Sequence, residues 1–144
     1  NGNAINWHNF EGKVLIFCNV ARFCGFSSQI NELTTLHGRF QENLSIILSP
    51  CNQFFQEPGS DKSVCDFYQD LPFVITERIA VNGADCHPLY AMLKAESNRK
   101  LAKNIIFWNF TKFLVSPDHS RILRYDPWAS PLLMANKIKS MASI

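Results

Sequence analysis

Positions 14 to 20 read Val-Leu-Ile-Phe-Cys-Asn-Val, an apolar run interrupted only by Asn19. Apolar residues without polar alternation predict a strand covered on both faces, as in a parallel sheet flanked by helices. The period then changes. Ile30, Leu33, Leu36 and Phe40 recur at three- and four-residue spacing and predict a helix, with Ser27 and Ser28 placed to cap its start and Glu32 early in it. Positions 44–48 form a second apolar run that stops at Ser49-Pro50. Strand, helix, strand is a βαβ unit, whose crossover is right-handed.

Beyond this unit a loop runs through Pro58-Gly59, followed by a short helix from 61 to about 68; Pro72 restarts extended chain. A short strand is expected at 79–81, ended by the turn dipeptide Asn82-Gly83. Pro88 suits the first turn of a helix with an apolar stripe of Leu89, Met92 and Leu93. Positions 105–115 and 121–125 read as strands joined across Ser116-Pro117-Asp118-His119-Ser120. Pro131 opens a closing amphipathic helix carrying Leu132, Ala135, Ile138 and Met141. The order predicts an α/β domain, a central mixed sheet flanked by helices on the plan of a thioredoxin-like fold. Residues 1–144 form a single domain of this kind, with no repeat, linker or low-complexity segment.

Composition narrows the function classes. Hydrophobic residues make up 47% and charged residues 18% of the 144, a globular balance, and twelve Phe make the core aromatic. A net charge of +2 without a long single-sign run gives no basis for a nucleic-acid partner. No stretch approaches the roughly 18 apolar residues of a membrane span, so stable membrane insertion is not expected. The polar start lacks a signal-peptide pattern, which points to the cytoplasm; it also lacks Met, which leaves room for a removed targeting segment.

The five cysteines are Cys18, Cys24, Cys51, Cys65 and Cys86. Their odd count and wide spacing argue against a secreted disulfide scaffold, and the absence of Cys-x-x-Cys argues against a disulfide exchanger. Four scattered His give no closed zinc site, so no metal is expected. Five thiols fit a reducing compartment, with one or two of them reactive.

Cys24 follows the first buried strand and precedes the first helix. The free N–H groups and the dipole at a helix start favour an anion, and a thiolate is the nucleophilic form of cysteine. In extended chain Arg22 would project on the same side and add a cation. Gly25 permits a tight turn and leaves the sulfur open. By position alone, Cys24 is either such a reactive thiol or a small buried hydrophobe, the ordinary state of free cysteine. Cys18, inside the apolar run, reads as the second.

Asn19-Val20-Ala21-Arg22-Phe23-Cys24-Gly25-Phe26 resembles the active-site segment of the glutathione peroxidases. Three further segments agree and follow in the same order: Pro50-Cys51-Asn52-Gln53-Phe54 running into Gln56-Glu57-Pro58-Gly59-Ser60; Val81-Asn82-Gly83; and Trp108-Asn109-Phe110-Thr111-Lys112-Phe113-Leu114-Val115. The resemblance runs from about Phe10 to the last helix. It implies a thioredoxin-like fold and reduction of hydrogen peroxide and organic or lipid hydroperoxides. Cys24 then stands at the peroxidatic position, and Gln56, Trp108 and Asn109 complete the catalytic site. Their amide and indole groups are hydrogen-bond donors, suited to stabilising a thiolate and orienting a peroxide. Selenocysteine would fit in place of Cys24 in the natural protein, and no bound cofactor is implied.

The chain also departs from the family pattern. Arg22 stands where Ser is usual, and Ser27 where Thr is usual. Only Phe55 separates Phe54 from Gln56, where two residues are common, the first Gly; Gln53 is the alternative donor should that shortening displace Gln56. His119 fills a hairpin position usually held by Gly and is expected to take a positive φ. The short segment before Trp108 resembles the monomeric branch, which includes phospholipid-hydroperoxide enzymes and enzymes reduced by thioredoxin-like proteins. The implied reductant is a thioredoxin-like protein, with glutathione second. Cys65 is the candidate resolving cysteine, although it lies a few residues before the usual place. Cys51 reads as structural, and Cys86 has no role assigned. The competing reading is a redox sensor or interaction module that keeps the fold but turns over poorly, motivated by Arg22 and the shortened loop.

Overall fold

The structure, a computed structural model, describes residues 2–98 and 104–144. After a 3-10 turn at Trp7–Phe10 the elements are β1 (Val14–Val20), α1 (Gln29–Phe40), β2 (Leu44–Pro50), α2 (Asp61–Tyr68), β3 (Val74–Ile75), α3 (Pro88–Glu96), β4 (Lys112–Val115), β5 (Ile122–Tyr125) and α4 (Ala135–Ala142). They build one mixed sheet in the order β3-β2-β1-β4-β5. β1 pairs in parallel with β2 from Val14↔Leu44 to Val20↔Pro50, and antiparallel with β4, where Cys18 faces Lys112. β3 extends the parallel half, and the β4–β5 hairpin the antiparallel half.

β1 is central and every residue in it is buried. Because side chains alternate across a strand, it feeds two cores. Val14, Ile16, Cys18 and Val20 point to the side covered by α1, α2 and α4, where they join Leu33, Leu36, Val64, Tyr68 and Ile138. Leu15 and Phe17 point to the other side, with Phe113, Val115 and the α3 residues Tyr90 and Leu93. The continuous apolar run is thus explained by cover on both faces.

Several local expectations are corrected. Residues 79–81 form no ladder strand; Ala80 makes an isolated bridge to Cys86, and the Ile79 N–H donates to the Pro50 carbonyl at 2.9 Å. The long strand expected at 105–115 begins only at Lys112, because Phe110 turns the chain with φ 64°. On α3 the inward residues are Tyr90 and Leu93, and Met92 is exposed; Pro88 at the first turn sets that phase. Lys94, also buried there, donates from Nζ to the Val81 carbonyl at 2.6 Å. Leu132 is exposed as well, because Pro131–Met134 wind as a 3-10 turn that brings Met134 inward. Ser28 makes no capping bond, since its own backbone is already helical.

The hairpin expectation holds. His119 has φ 60°. Asp118 accepts from Ser116 Oγ at 2.6 Å and from the N–H and hydroxyl of Ser120 at 3.1 and 2.8 Å. The Ser116 and Ser120 bonds pull its carboxyl down to about 2. Among the described residues no helix is long and apolar enough to cross a membrane.

Candidate active site

β1 ends at Val20, and the chain turns before α1 begins at Gln29. Cys24 lies in this turn, 4% exposed. Its carbonyl accepts from the Ser27 N–H at 3.0 Å, and its Sγ accepts from the Phe26 N–H at 3.4 Å. The helix start expected beside the sulfur is therefore one turn further on, and the backbone donor that reaches the sulfur comes from the turn.

Arg22 does not serve Cys24. The residues after Ala21 are not extended, so the same-side rule for alternate residues fails. Arg22 instead pairs with the Glu57 carboxylate, donates to the Pro58 carbonyl and reaches the Ser63 carbonyl at 3.4 Å. Glu57 is fully buried, and its second oxygen accepts from Tyr68 Oη at 2.6 Å. Burial first, and the carboxylate second, push the Tyr68 hydroxyl far above the usual phenol range. A buried charge needs such partners, and these tie the Cys24 turn to α2. Sequence reading missed Glu57 and Tyr68. The signal was available at Glu57, a carboxylate next to Pro58 inside a motif already singled out.

The shortened loop leaves Gln56 beside this turn. The Phe23 N–H donates to the Gln56 carbonyl at 3.1 Å. Asn109 Nδ2 donates to Gln56 Oε1 at 3.0 Å. Phe55 absorbs the missing residue, with φ 61° and its ring 87% exposed. Phe54 packs against Trp108 with ring centroids 5.3 Å apart. Gln53, the alternative donor that the sequence offered, is held at the Val81–Asn82 segment instead of being joined to Asn109 as Gln56 is. Gln53 Oε1 accepts from the N–H groups of Val81 and Asn82 at 2.7 and 2.9 Å, and Nε2 donates to the Asn82 carbonyl at 2.9 Å. The Pro50–Gln53 and Val81–Gly83 motifs are thus two halves of one clamp. Asn82 extends it, exchanging two hydrogen bonds with Ile106 at 2.7 and 2.8 Å and so fixing the approach to Trp108.

Trp108, Asn109 and Phe110 form a tight turn before β4. Asn109 is fully buried, and among the described residues its Oδ1 accepts no hydrogen bond; Trp108 is 36% exposed. Cys24, Gln56 and Asn109 are gathered through the Phe23–Gln56 and Asn109–Gln56 bonds. Among the described residues, none of the Gln56, Trp108 or Asn109 side chains hydrogen-bonds the Cys24 sulfur itself. With Oε1 occupied, neither Nε2 donor of Gln56 is used among the described residues.

The other four thiols sit in different surroundings, and all five are free. Cys18 is fully buried, and burial pushes its thiol up to about 12 against the opposing pull of Lys112. Burial also raises Cys51. Cys86 is half-buried, with its Sγ 3.2 Å from the Val81 carbonyl. Cys65 is exposed on α2, whose inward residues are Val64 and Tyr68. Behind the Cys24 turn, buried Lys112 donates to Gln29 Oε1 at 2.8 Å and to the Pro127 carbonyl at 3.1 Å; burial lowers it to about 8. Among the described residues no group of three His, Cys, Asp or Glu is gathered to hold a metal.

The glutathione peroxidase family profile matches residues 1–94. The chain is 40% identical to the "Probable glutathione peroxidase 2" of Arabidopsis thaliana, over 96% of its own length and 85% of the relative's. It is 38% identical to the "Glutathione peroxidase-like peroxiredoxin gpx1" of Schizosaccharomyces pombe, over 97% and 91%. The crystal structure of T. cruzi GPX1 superposes with a TM-score of 0.77 at 29% identity, covering 99% of this chain and 90% of that one. A "Thioredoxin-like superfamily protein" superposes with a TM-score of 0.64 at 11% identity, covering 100% and 89%, a likeness of fold alone. Likeness on this scale extends well past the Cys24 turn, through the Gln56 loop and on to the Trp108–Asn109 turn. The chain therefore belongs to the glutathione peroxidase family, and is a thiol peroxidase acting on hydroperoxides, built on a thioredoxin-like fold.

Proposed function

We propose that Cys24 is the peroxidatic nucleophile and that Gln56, Trp108 and Asn109 form the polar half of its site. The Cys24 thiolate attacks one peroxide oxygen, the O–O bond breaks, and the sulfur becomes a sulfenic acid. The leaving oxygen departs with the electron pair and takes a proton, giving water or an alcohol. The single observation that carries this reading is the bonding of Gln56 to both neighbours: its carbonyl to Phe23, next to Cys24, and its amide oxygen to Asn109. Three segments far apart in sequence meet at the turn that carries one recessed sulfur. That convergence also weakens the sensor reading, which leaned on a displaced Gln56. Selenium at position 24 would perform the same step.

The substrates are hydrogen peroxide and organic or lipid hydroperoxides. Phe23 and Phe55, each next to a residue of the site, are 67% and 87% exposed and offer apolar surface to an organic chain. The protein acts as a monomer. Its reductant is a thioredoxin-like protein, with glutathione as the second choice. Cys65 resolves the sulfenic acid as a disulfide, expelling water, and the reductant then opens the bridge. Bridged cysteines need Cα atoms within about 7 Å. Where the Cα atoms of Cys24 and Cys65 lie beyond that reach, the eight-residue α2 has to unwind in part, and a helix this short has little stability of its own.

The test is mass spectrometry after one equivalent of peroxide, together with steady-state assays. Cys24→Ser is expected to lose peroxide consumption and keep its fold; consumption at the wild-type rate would refute the nucleophile. Cys65→Ser is expected to oxidise normally and lose thioredoxin-linked turnover. Full turnover in that variant, or a bridge mapped to Cys51 or Cys86, would assign resolution elsewhere.

A further inference from the structure

Asn19 is the penultimate residue of β1 and is fully buried, with Ser49 opposite it on β2. A buried amide is costly unless its polar atoms are paired. Here only half of it is. Nδ2 donates to the Trp108 carbonyl at 3.2 Å, while Oδ1 is enclosed and accepts no hydrogen bond among the described residues. The amide is explained by what it holds.

It holds the turn before β4 at two points. The side chain grips the Trp108 carbonyl, and the Asn19 main-chain carbonyl accepts from the Phe110 N–H at 2.6 Å. Asn109 lies between these anchors. The turn cannot be left to itself: Phe110 has φ 64°, a left-handed conformation that a bulky residue keeps only when its surroundings impose it. Thr111 Oγ1 braces the same Trp108 carbonyl at 3.1 Å, but from within the same segment. Asn19 is the brace from the central strand, which is buried along its whole length and leads into Cys24.

We propose that Asn19 is a positioning residue for the oxidation step. It acts through Trp108 and Asn109, fixing their turn so that Asn109 keeps its bond to Gln56 beside the Cys24 turn. This rests on the roles given above to Gln56 and Asn109.

The experiment compares Asn19→Asp, Asn19→Ala and Asn109→Ala with the double variant Asn19→Ala/Asn109→Ala. Asn19→Asp keeps the volume but sets a carboxylate oxygen against the Trp108 carbonyl. Single-turnover oxidation by hydrogen peroxide, followed by tryptophan fluorescence, is expected to slow about tenfold or more in each single variant. Reduction of the oxidised enzyme by dithiothreitol is expected to stay at the wild-type rate. The double variant is expected to be no slower than Asn109→Ala, because both act through one turn. Where Asn19→Ala fails to fold, Asn19→Asp and Asn19→Ser carry the same comparison. Wild-type oxidation in folded Asn19→Asp beside a slowed Asn109→Ala would overturn this proposal alone, as would slowdowns that multiply in the double variant. Wild-type oxidation in Asn109→Ala would remove the underlying reading and this proposal with it.

Discussion

Asn109 Nδ2 lies 3.0 Å from Gln56 Oε1, and this one bond joins the turn before β4 to the loop after β2. It also decides which atoms of Gln56 remain available, because the amide oxygen is engaged while both Nε2 hydrogens are left unpaired among the described residues.

That pairing makes the two residues a unit. Asn109→Ala is expected to slow Cys24 oxidation by about 10²-fold, the scale on which preorganised donors act. Gln56→Ala is expected to do the same, and the double variant to be little slower than either. Stopped-flow oxidation over a range of peroxide concentrations measures all three. Slowdowns that multiply would show that the donors act separately.

Tyr68 fastens α2 to Glu57, and Glu57 is fastened to Arg22 in the Cys24 turn. Tyr68→Phe leaves one buried carboxylate oxygen without its donor, a loss of about 1–3 kcal/mol. The destabilisation falls on α2, the helix that carries Cys65, so the proposed Cys24–Cys65 disulfide is expected to form faster although the protein melts lower. Quenched-flow alkylation with mass spectrometry times the bridge. A slower bridge in Tyr68→Phe would mean that α2 does not open.

Lys112 gives a pH signature. Burial lowers its folded-state value to about 8 from an ordinary 10.5. Below pH 8 both states are charged, and the folded state carries the full burial penalty. Between pH 8 and 10.5 the folded state has lost the proton while the unfolded chain still holds it, so stability rises with pH. The difference of 10.5 − 8 = 2.5 sets an upper bound of about 3 kcal/mol on the rise. Lys112→Met is expected to remove it. Urea unfolding at several pH values checks this, and an equal rise in the variant would assign the effect to another group.

Phe55 combines strain with exposure. Phe55→Gly is expected to relieve the left-handed backbone, worth about 1 kcal/mol, and to remove an apolar ring beside Gln56. The variant should melt higher and lose rate on cumene hydroperoxide while holding its rate on hydrogen peroxide. Equal losses on both substrates would mean that the ring does not select.

The sheet and its helices were legible because their signals are local and periodic. The run 14–20 and the stripe Ile30, Leu33, Leu36, Phe40 became β1 and α1 with little change. The strand expected at 79–81 and the first part of the one expected at 105–115 did not form, the second because Phe110 turns the chain before Lys112. The residues of both suit strands, and amide side chains instead take up backbone groups there, Gln53 at Val81 and Asn82 at Ile106. The motifs named the residues around Cys24 without revealing their partners. Arg22 was placed beside the sulfur by an alternation rule that holds only in extended chain. Its actual partner, Glu57, is 35 residues away, and no spacing rule reaches that far.

The Gln53 clamp has a consequence for the cost of leaving the chain at Val81 and Asn82 outside the sheet. Val81 is buried, and a buried peptide group without a partner costs about 1–3 kcal/mol. The side-chain amide of Gln53 carries the same donor and acceptor as a peptide unit, so it answers the N–H groups of Val81 and Asn82 and the Asn82 carbonyl without adding a strand. One side chain thus stands in for a ladder rung, and the chain leaves the sheet with those three groups paired.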